Sequence, residues 1–233
     1  MNINRIIEEA FDLHGNIVDA GISSAFGKGK TMKPLVASIP NSSHKCYAVY
    51  GGKNADGLSS DKIAMLRNIK AMEHPDSFAT RAAIYAADRI ARPWKPDLLC
   101  ITQSSSVLAS YFARAIAMRL HGVRIITASK NAASAVSYEP PEHLKDTKIV
   151  KNGLKALMDA GDGNLSMKRI HNSVRAFFHG LYSIDADAKA IAGRRILIVD
   201  DLYTSGSTIS SIASELDRLG ASDVAAVVLF KAR

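Results

Sequence analysis

The chain has 233 residues, 47% hydrophobic and 22% charged, enough apolar material for one domain, or one domain with a small lobe, to bury a core, so the chain need not be disordered. No run approaches the roughly 18 apolar residues of a membrane span, and the opening MNINRIIEEAFDL is too acidic for a secretory signal; with Cys46 and Cys100 far apart and without metal-type spacing, the expectation is a cytoplasmic protein with reduced thiols. Thirty basic against 22 acidic side chains leave +8, a field that attracts polyanions, whether nucleic acid or a phosphorylated metabolite.

In chain order, apolar spacing predicts a helix over 3–13 and a Gly/Ser/Lys-rich loop over 21–33. Short strands come next near 35–39 and 46–50, then helices near 60–72 and 77–91. Together residues 1–95 read as a separate lobe packed over the sheet formed by the rest of the chain. Ser24-Ala25-Phe26-Gly27-Lys28-Gly29-Lys30-Thr31 ends like a nucleotide-binding phosphate loop. Ser24 replaces its first glycine and no apolar strand precedes it, so a mobile basic loop is the better reading.

From residue 96 the pattern is strand, helix, strand. Pro96-Asp97 introduces the strand LLCIT at 98–102. Ser104, Ser105 and Ser106 can cap a helix carrying Val107, Leu108, Tyr111, Phe112, Ala115 and Ile116. Gly122 closes it, and VRIIT at 123–127 is the next strand. The stretch from about 128 to 176 is too long for an ordinary connection and reads as a lid or an inserted element, with Pro140-Pro141 placed to start a helix. FFHGLYSI at 177–184 reads as one more strand. RRILIVDD at 194–201 is a run suited to burial on both faces of a parallel sheet. Ile209, Ile212, Ala213, Leu216 and Leu219 recur at helical spacing, Gly220 supplies a stop, and DVAAVVLF at 223–230 is the last strand. The expected fold is α/β, a parallel sheet flanked by helices with right-handed crossovers.

In such a sheet ligands sit beyond the C-terminal strand ends. Asp200 and Asp201 end a strand there, and Leu202-Tyr203-Thr204-Ser205-Gly206-Ser207-Thr208 offers successive N–H groups, hydroxyls and a glycine at a helix N-terminus, which suits a phosphate. Carboxylates beside an anion cradle suit neutral hydroxyl donors or a metal ion, so one compact site would hold a sugar phosphate. The seven histidines show no ligand spacing.

ILIVDDLYTSGST, residues 196–208, resembles the 5-phosphoribosyl-1-pyrophosphate (PRPP) binding signature of type I phosphoribosyltransferases. The resemblance covers about residues 96–230 and implies that Asp200 and Asp201 hold the ribose hydroxyls while Thr204, Ser205, Gly206, Ser207 and Thr208 wrap the 5′-phosphate. It further implies a pyrophosphate loop at Thr102-Gln103-Ser104-Ser105-Ser106, a catalytic cation at Lys130 and a flexible lid over 129–166. It makes 1–95 the substrate hood, 96–233 the phosphoribosyltransferase core, and Mg²⁺ the cofactor, carried on PRPP with help from Asp200 and Asp201. RIHNSVRAFFHGLYSI, residues 169–184, is similar to the competence-associated branch. Thr204, where 6-oxopurine transferases carry an acidic base, disfavours hypoxanthine and guanine as acceptors. The expected activity is transfer of phosphoribose from Mg-PRPP to a nitrogenous base or other amine by a homo-oligomer, a dimer. A non-catalytic PRPP or nucleotide sensor is the alternative, with nucleic acid a partner that the site does not favour.

Overall fold

Runs such as LLCIT and ILIV carry apolar side chains at consecutive positions and must be covered on both faces. In a computed structural model of the chain they are. It describes residues 35–40, 42–51, 82–103, 107–166, 170–203 and 205–231. The helices expected at 3–13 and 60–72, the 21–33 loop, Ser104–Ser106 and Thr204 lie outside these residues.

The strands are β1 (Leu35–Ser38), β2 (Lys45–Gly51), β3 (Leu98–Thr102), β4 (Arg124–Lys130), β5 (Ser137–Tyr138), β6 (Phe178–His179), β7 (Tyr182–Ile184), β8 (Arg195–Tyr203) and β9 (Asp223–Lys231). The helices are α1 (82–94), α2 (Val107–Arg119), α3 (Lys148–Ala160) and α4 (Ser207–Arg218), with a short helical turn at Ala188–Ile191. Seven strands form one sheet in the order β1-β2-β9-β8-β3-β4-β7. The inner five run parallel, and β1 and β7 close the two edges antiparallel.

Alternation along β8 sends Leu197 and Val199 to one face and Ile196 and Ile198 to the other. The first face packs under α1 and α2 around Leu99, Phe112 and Ile116. The second packs under α4 through Ile209, Ile212, Ala213 and Leu216. Each such Leu, Ile, Val or Phe side chain, withdrawn fully from water, contributes about 1.5–3 kcal/mol before the entropy of ordering it. The crossover helices α2 and α4 thus lie on opposite faces, which makes the sheet doubly wound. None of the described helices is long and apolar enough to cross a membrane.

Two expectations need correction. Residues 35–51 are not part of a separate layer: β2 pairs in parallel with β9 from Lys45 opposite Ala225 to Gly51 opposite Lys231, and α1 lies on the face of the same sheet. The 177–184 run is not one strand, because Gly180 takes φ +70° and breaks it. Its first half, β6, pairs with β5, and its second half, β7, pairs with β4. The long connection after β4 takes the form of an inserted element, one of its two expected readings: with 170–181, residues 129–166 fold around a core of Ala133, Val136, Val150, Leu165, Val174 and Phe178. That inserted unit hangs between β4 and β7, joined to them where Asn131 N–H donates to Leu181 O at 3.0 Å and Asn131 Nδ2 to Gly180 O at 2.8 Å.

Candidate functional site

The strand order reverses at β3, whose chain continues to β4 on one side while β8 continues to β9 on the other. Such a switch point leaves a crevice beyond the C-terminal strand ends, because the two crossovers leave in opposite directions. Thr102 ends β3 there, and its hydroxyl donates a long hydrogen bond of 3.4 Å to Asp200 Oδ1 on β8. The same oxygen accepts the Asp201 N–H at 2.9 Å. Asp200 and Asp201 are only 8% and 5% exposed, so the chain brings two carboxylates to a nearly dry crevice rim. Burying charge at this depth is costly unless hydrogen-bond donors or a cation compensate it.

Beyond β8 the chain turns through Ser205 and Gly206 into α4. Gly206 has φ +73°, and a Cβ there would stand 2.6 Å from Tyr203 Oη and 2.9 Å from Pro40 Cδ, so the turn accepts no side chain. The turn is braced from the β1–β2 connection: Tyr203 Oη donates to Ser38 O at 2.9 Å and Ser210 Oγ to Pro40 O at 2.8 Å. The Ser205 and Ser207 hydroxyls lie 3.1 Å apart at the N-terminus of α4. Burial pushes the phenol of Tyr182 on β7 up; the neighbouring Thr208 side chain works against this and the Asp200 charge adds to it.

The neighbouring strand ends complete the rim. Gln103 follows β3, its N–H donating to Ala128 O at 2.8 Å and its side-chain oxygen accepting from Ser129 Oγ at 2.9 Å. Lys130 ends β4, and its Nζ donates to Leu165 O at 2.7 Å, tying the strand end to the inserted unit. Of the residues singled out from sequence, Asp200, Asp201, Ser205, Gly206, Ser207 and Thr208 therefore cluster at one end of β8, with Gln103 and Lys130 on the adjoining strand ends.

Four contributors escape a reading of the sequence. Pro40 and Ser38 reach the turn only through the pairing of β2 with β9, a contact separated by well over a hundred residues. Tyr182 falls in an expected strand, but nothing local shows that the strand edges the site. Arg175 lies within the 169–184 stretch and belongs to no phosphate motif; its Nη1 donates to Ser205 Oγ at 3.2 Å and its Nε to Ile170 O at 2.9 Å. Arg175, Phe178, Tyr182, Ser205, Ser207 and Arg218 line a cleft of about 320 Å³ beside the turn.

A doubly wound sheet with a glycine turn at a helix N-terminus and an acid pair at its switch point is an arrangement whose chemistry suits a phosphorylated, hydroxyl-bearing small molecule. The profile of the phosphoribosyl transferase domain matches residues 73–233, and the chain belongs to that family. No curated protein sequence matches it. Among solved structures it is similar to a purine phosphoribosyltransferase from Pyrococcus horikoshii, with 15% identity over 66% of this chain and 83% of that one and a TM-score of 0.37. An adenine phosphoribosyltransferase from Thermoanaerobacter pseudethanolicus shows 16% identity over 67% and 84% of the two chains, with a TM-score of 0.35. A hypoxanthine phosphoribosyltransferase from Staphylococcus aureus shows 12% identity over 69% and 72%, with a TM-score of 0.39.

Proposed function

We propose that the protein binds Mg-PRPP at the end of β8 and transfers phosphoribose to a nitrogenous acceptor with release of pyrophosphate. One observation carries this reading: in a chain of the phosphoribosyl transferase domain family, the buried Asp200-Asp201 pair stands directly before the Ser205–Thr208 cradle at the switch point. In this reading the 5′-phosphate takes the N–H groups and hydroxyls of 204–208, and the two ribose hydroxyls donate to Asp200 and Asp201, a division of labour that suits each group's charge. The pyrophosphate then lies toward Gln103 and Lys130 on the adjoining strand ends.

No third His, Cys, Asp or Glu joins Asp200 and Asp201 in a ligand cluster among the described residues. Magnesium keeps its waters and takes one or two carboxylates together with substrate phosphates, so a two-carboxylate rim fits it. When bound, it supplies positive charge against the departing pyrophosphate. The chain's own residues hold both ends of the sugar and fix C1 for attack. Lys130 meets charge as it develops on the leaving group, and the inserted unit shields the crevice from water. Thr204 offers no carboxylate to a purine ring, which points the acceptor away from hypoxanthine and guanine.

The reading is tested by calorimetry with Mg-PRPP, then by pyrophosphate release with orotate, uracil, adenine, hypoxanthine and nicotinamide as acceptors. Asp200→Asn with Asp201→Asn is expected to abolish PRPP binding while the melting profile persists, since shape is kept and only acceptor charge is lost. Unchanged affinity in that variant overturns the assigned site. Tight PRPP binding with no acceptor turned over replaces transfer by sensing.

A further inference from the structure

Arg175 sits in the short 3₁₀ segment Asn172–Phe177, between the core of the inserted unit and the turn that opens α4. Its Nε is fixed on Ile170 O at 2.9 Å, next to the buried Ile170 and Val174, so the guanidinium is aimed and not trailing in solvent. An arginine that only braces a fold commonly pairs with a carboxylate, in a bidentate fork. Among the described residues no carboxylate lies within ion-pair distance of Arg175. The one acid on the same cleft wall, Glu215, is held by Arg218 at 2.6 Å. Arg175 instead spends Nη1 on a neutral serine hydroxyl, Ser205 Oγ, which is itself 3.1 Å from Ser207 Oγ. Partial burial lowers its pKa, the direction expected of a cation removed from water without a counter-charge.

We infer that Arg175 is a phosphate-binding residue, whose counter-ion is a phosphomonoester held on the Ser205–Thr208 turn. The inference rests on the site proposed above and goes beyond its motif, because the cation comes from the inserted unit some thirty residues before the turn. Ser205 is shared between the guanidinium and the cradle, so an anion seated on the turn stands against the unused edge of the guanidinium, which still has N–H donors to offer. The geometry also gives the insertion a stake in the ligand: a phosphate clamped by Arg175 is linked through Ile170 O to the core around Val174 and Phe178. Bound phosphate therefore protects residues 131–181 from proteolysis.

The test compares wild type, Arg175→Lys and Arg175→Ala by calorimetry with ribose 5-phosphate and inorganic phosphate at two salt concentrations, with thermal melting and limited proteolysis alongside. One charged hydrogen-bonding contact predicts a loss of about ten- to a hundredfold in ribose 5-phosphate affinity for Arg175→Ala, with weaker salt dependence and partial recovery in Arg175→Lys. Ribose 5-phosphate slows cleavage within 131–181 in wild type and no longer does so in Arg175→Ala. Equal affinity and salt dependence in Arg175→Ala overturn the inference, as does a normally melting Arg175→Lys that binds no better than Arg175→Ala. Wild type that binds neither ligand defeats the proposed site itself, and this inference with it.

Discussion

Gly206 shows how narrowly a single position is constrained at this site. Its φ of +73° costs a non-glycine residue about 1–2 kcal/mol, and the space for a Cβ is taken by Tyr203 Oη and Pro40 Cδ. Gly206→Val is therefore expected to abolish ribose 5-phosphate binding and to lower the melting temperature, read by calorimetry and by a thermal scan. An unchanged variant removes the turn from the site. The two cysteines give a prediction of a different kind. Burial pushes the Cys46 and Cys100 thiols up from 9.0 to about 12. Because the folded value is raised, their stabilising contribution is complete below about pH 9 and is lost as the pH climbs toward 12. At pH 8 both thiols stay protonated and are expected to resist a thiol reagent in the native protein and to react in denaturant. Rapid native labelling contradicts their placement in the core under α4.

At the scale of elements, the insertion between β4 and β7 depends on how closely α3 approaches β5. Tyr138 stacks on Phe178 with ring centroids 4.3 Å apart and donates its hydroxyl to Val150 O at 3.1 Å. This is allowed because Gly153 lies beneath it, where a Cβ would stand 2.6 Å from Tyr138 Oη and 3.0 Å from its Cζ. Gly153→Val is expected to loosen the insertion and leave the sheet intact, seen as faster proteolysis within 131–181 at unchanged strand content. Gly153→Ala combined with Tyr138→Phe removes the shortest contact and is expected to recover part of the loss. If both variants resist protease as wild type does, the helix does not pack on β5 in this way. Gly180 has the matching role at the return: its positive φ lets 177–184 serve two sheets, a division that an alternating apolar pattern does not reveal.

Across the whole molecule, Lys130 is where the strand end, the proposed pyrophosphate site and the insertion meet. Its Nζ already holds Leu165 O at 2.7 Å, so a leaving pyrophosphate has to draw the ammonium away from the insertion or share it. An interaction made mainly in the transition state appears in rate and not in ground-state binding. Lys130→Ala is therefore expected to cut turnover by about thirty- to a thousandfold, or about 2–4 kcal/mol. Ribose 5-phosphate affinity changes little, because the 5′-phosphate lies at the other end of the sugar. Equal turnover in the variant leaves Lys130 only the task of anchoring Leu165.

The apolar runs 98–102, 196–199 and 223–230 carried their own assignment. Consecutive apolar side chains suit a strand covered on both faces, which is where they lie, and Gly206 with its flanking serines stands at the turn into α4 where the sequence placed a turn. The acid pair was legible for the same reason, as charge placed at the end of a run that otherwise avoids water. What the chain pattern could not carry was adjacency. That residues 35–51 extend the sheet beside β9, that Pro40 closes under the turn, and that Arg175 faces Ser205 all depend on which edges pair and which faces meet. Those choices are made by long-range packing, where many local patterns are compatible with several partners and the burial of one shared core selects among them.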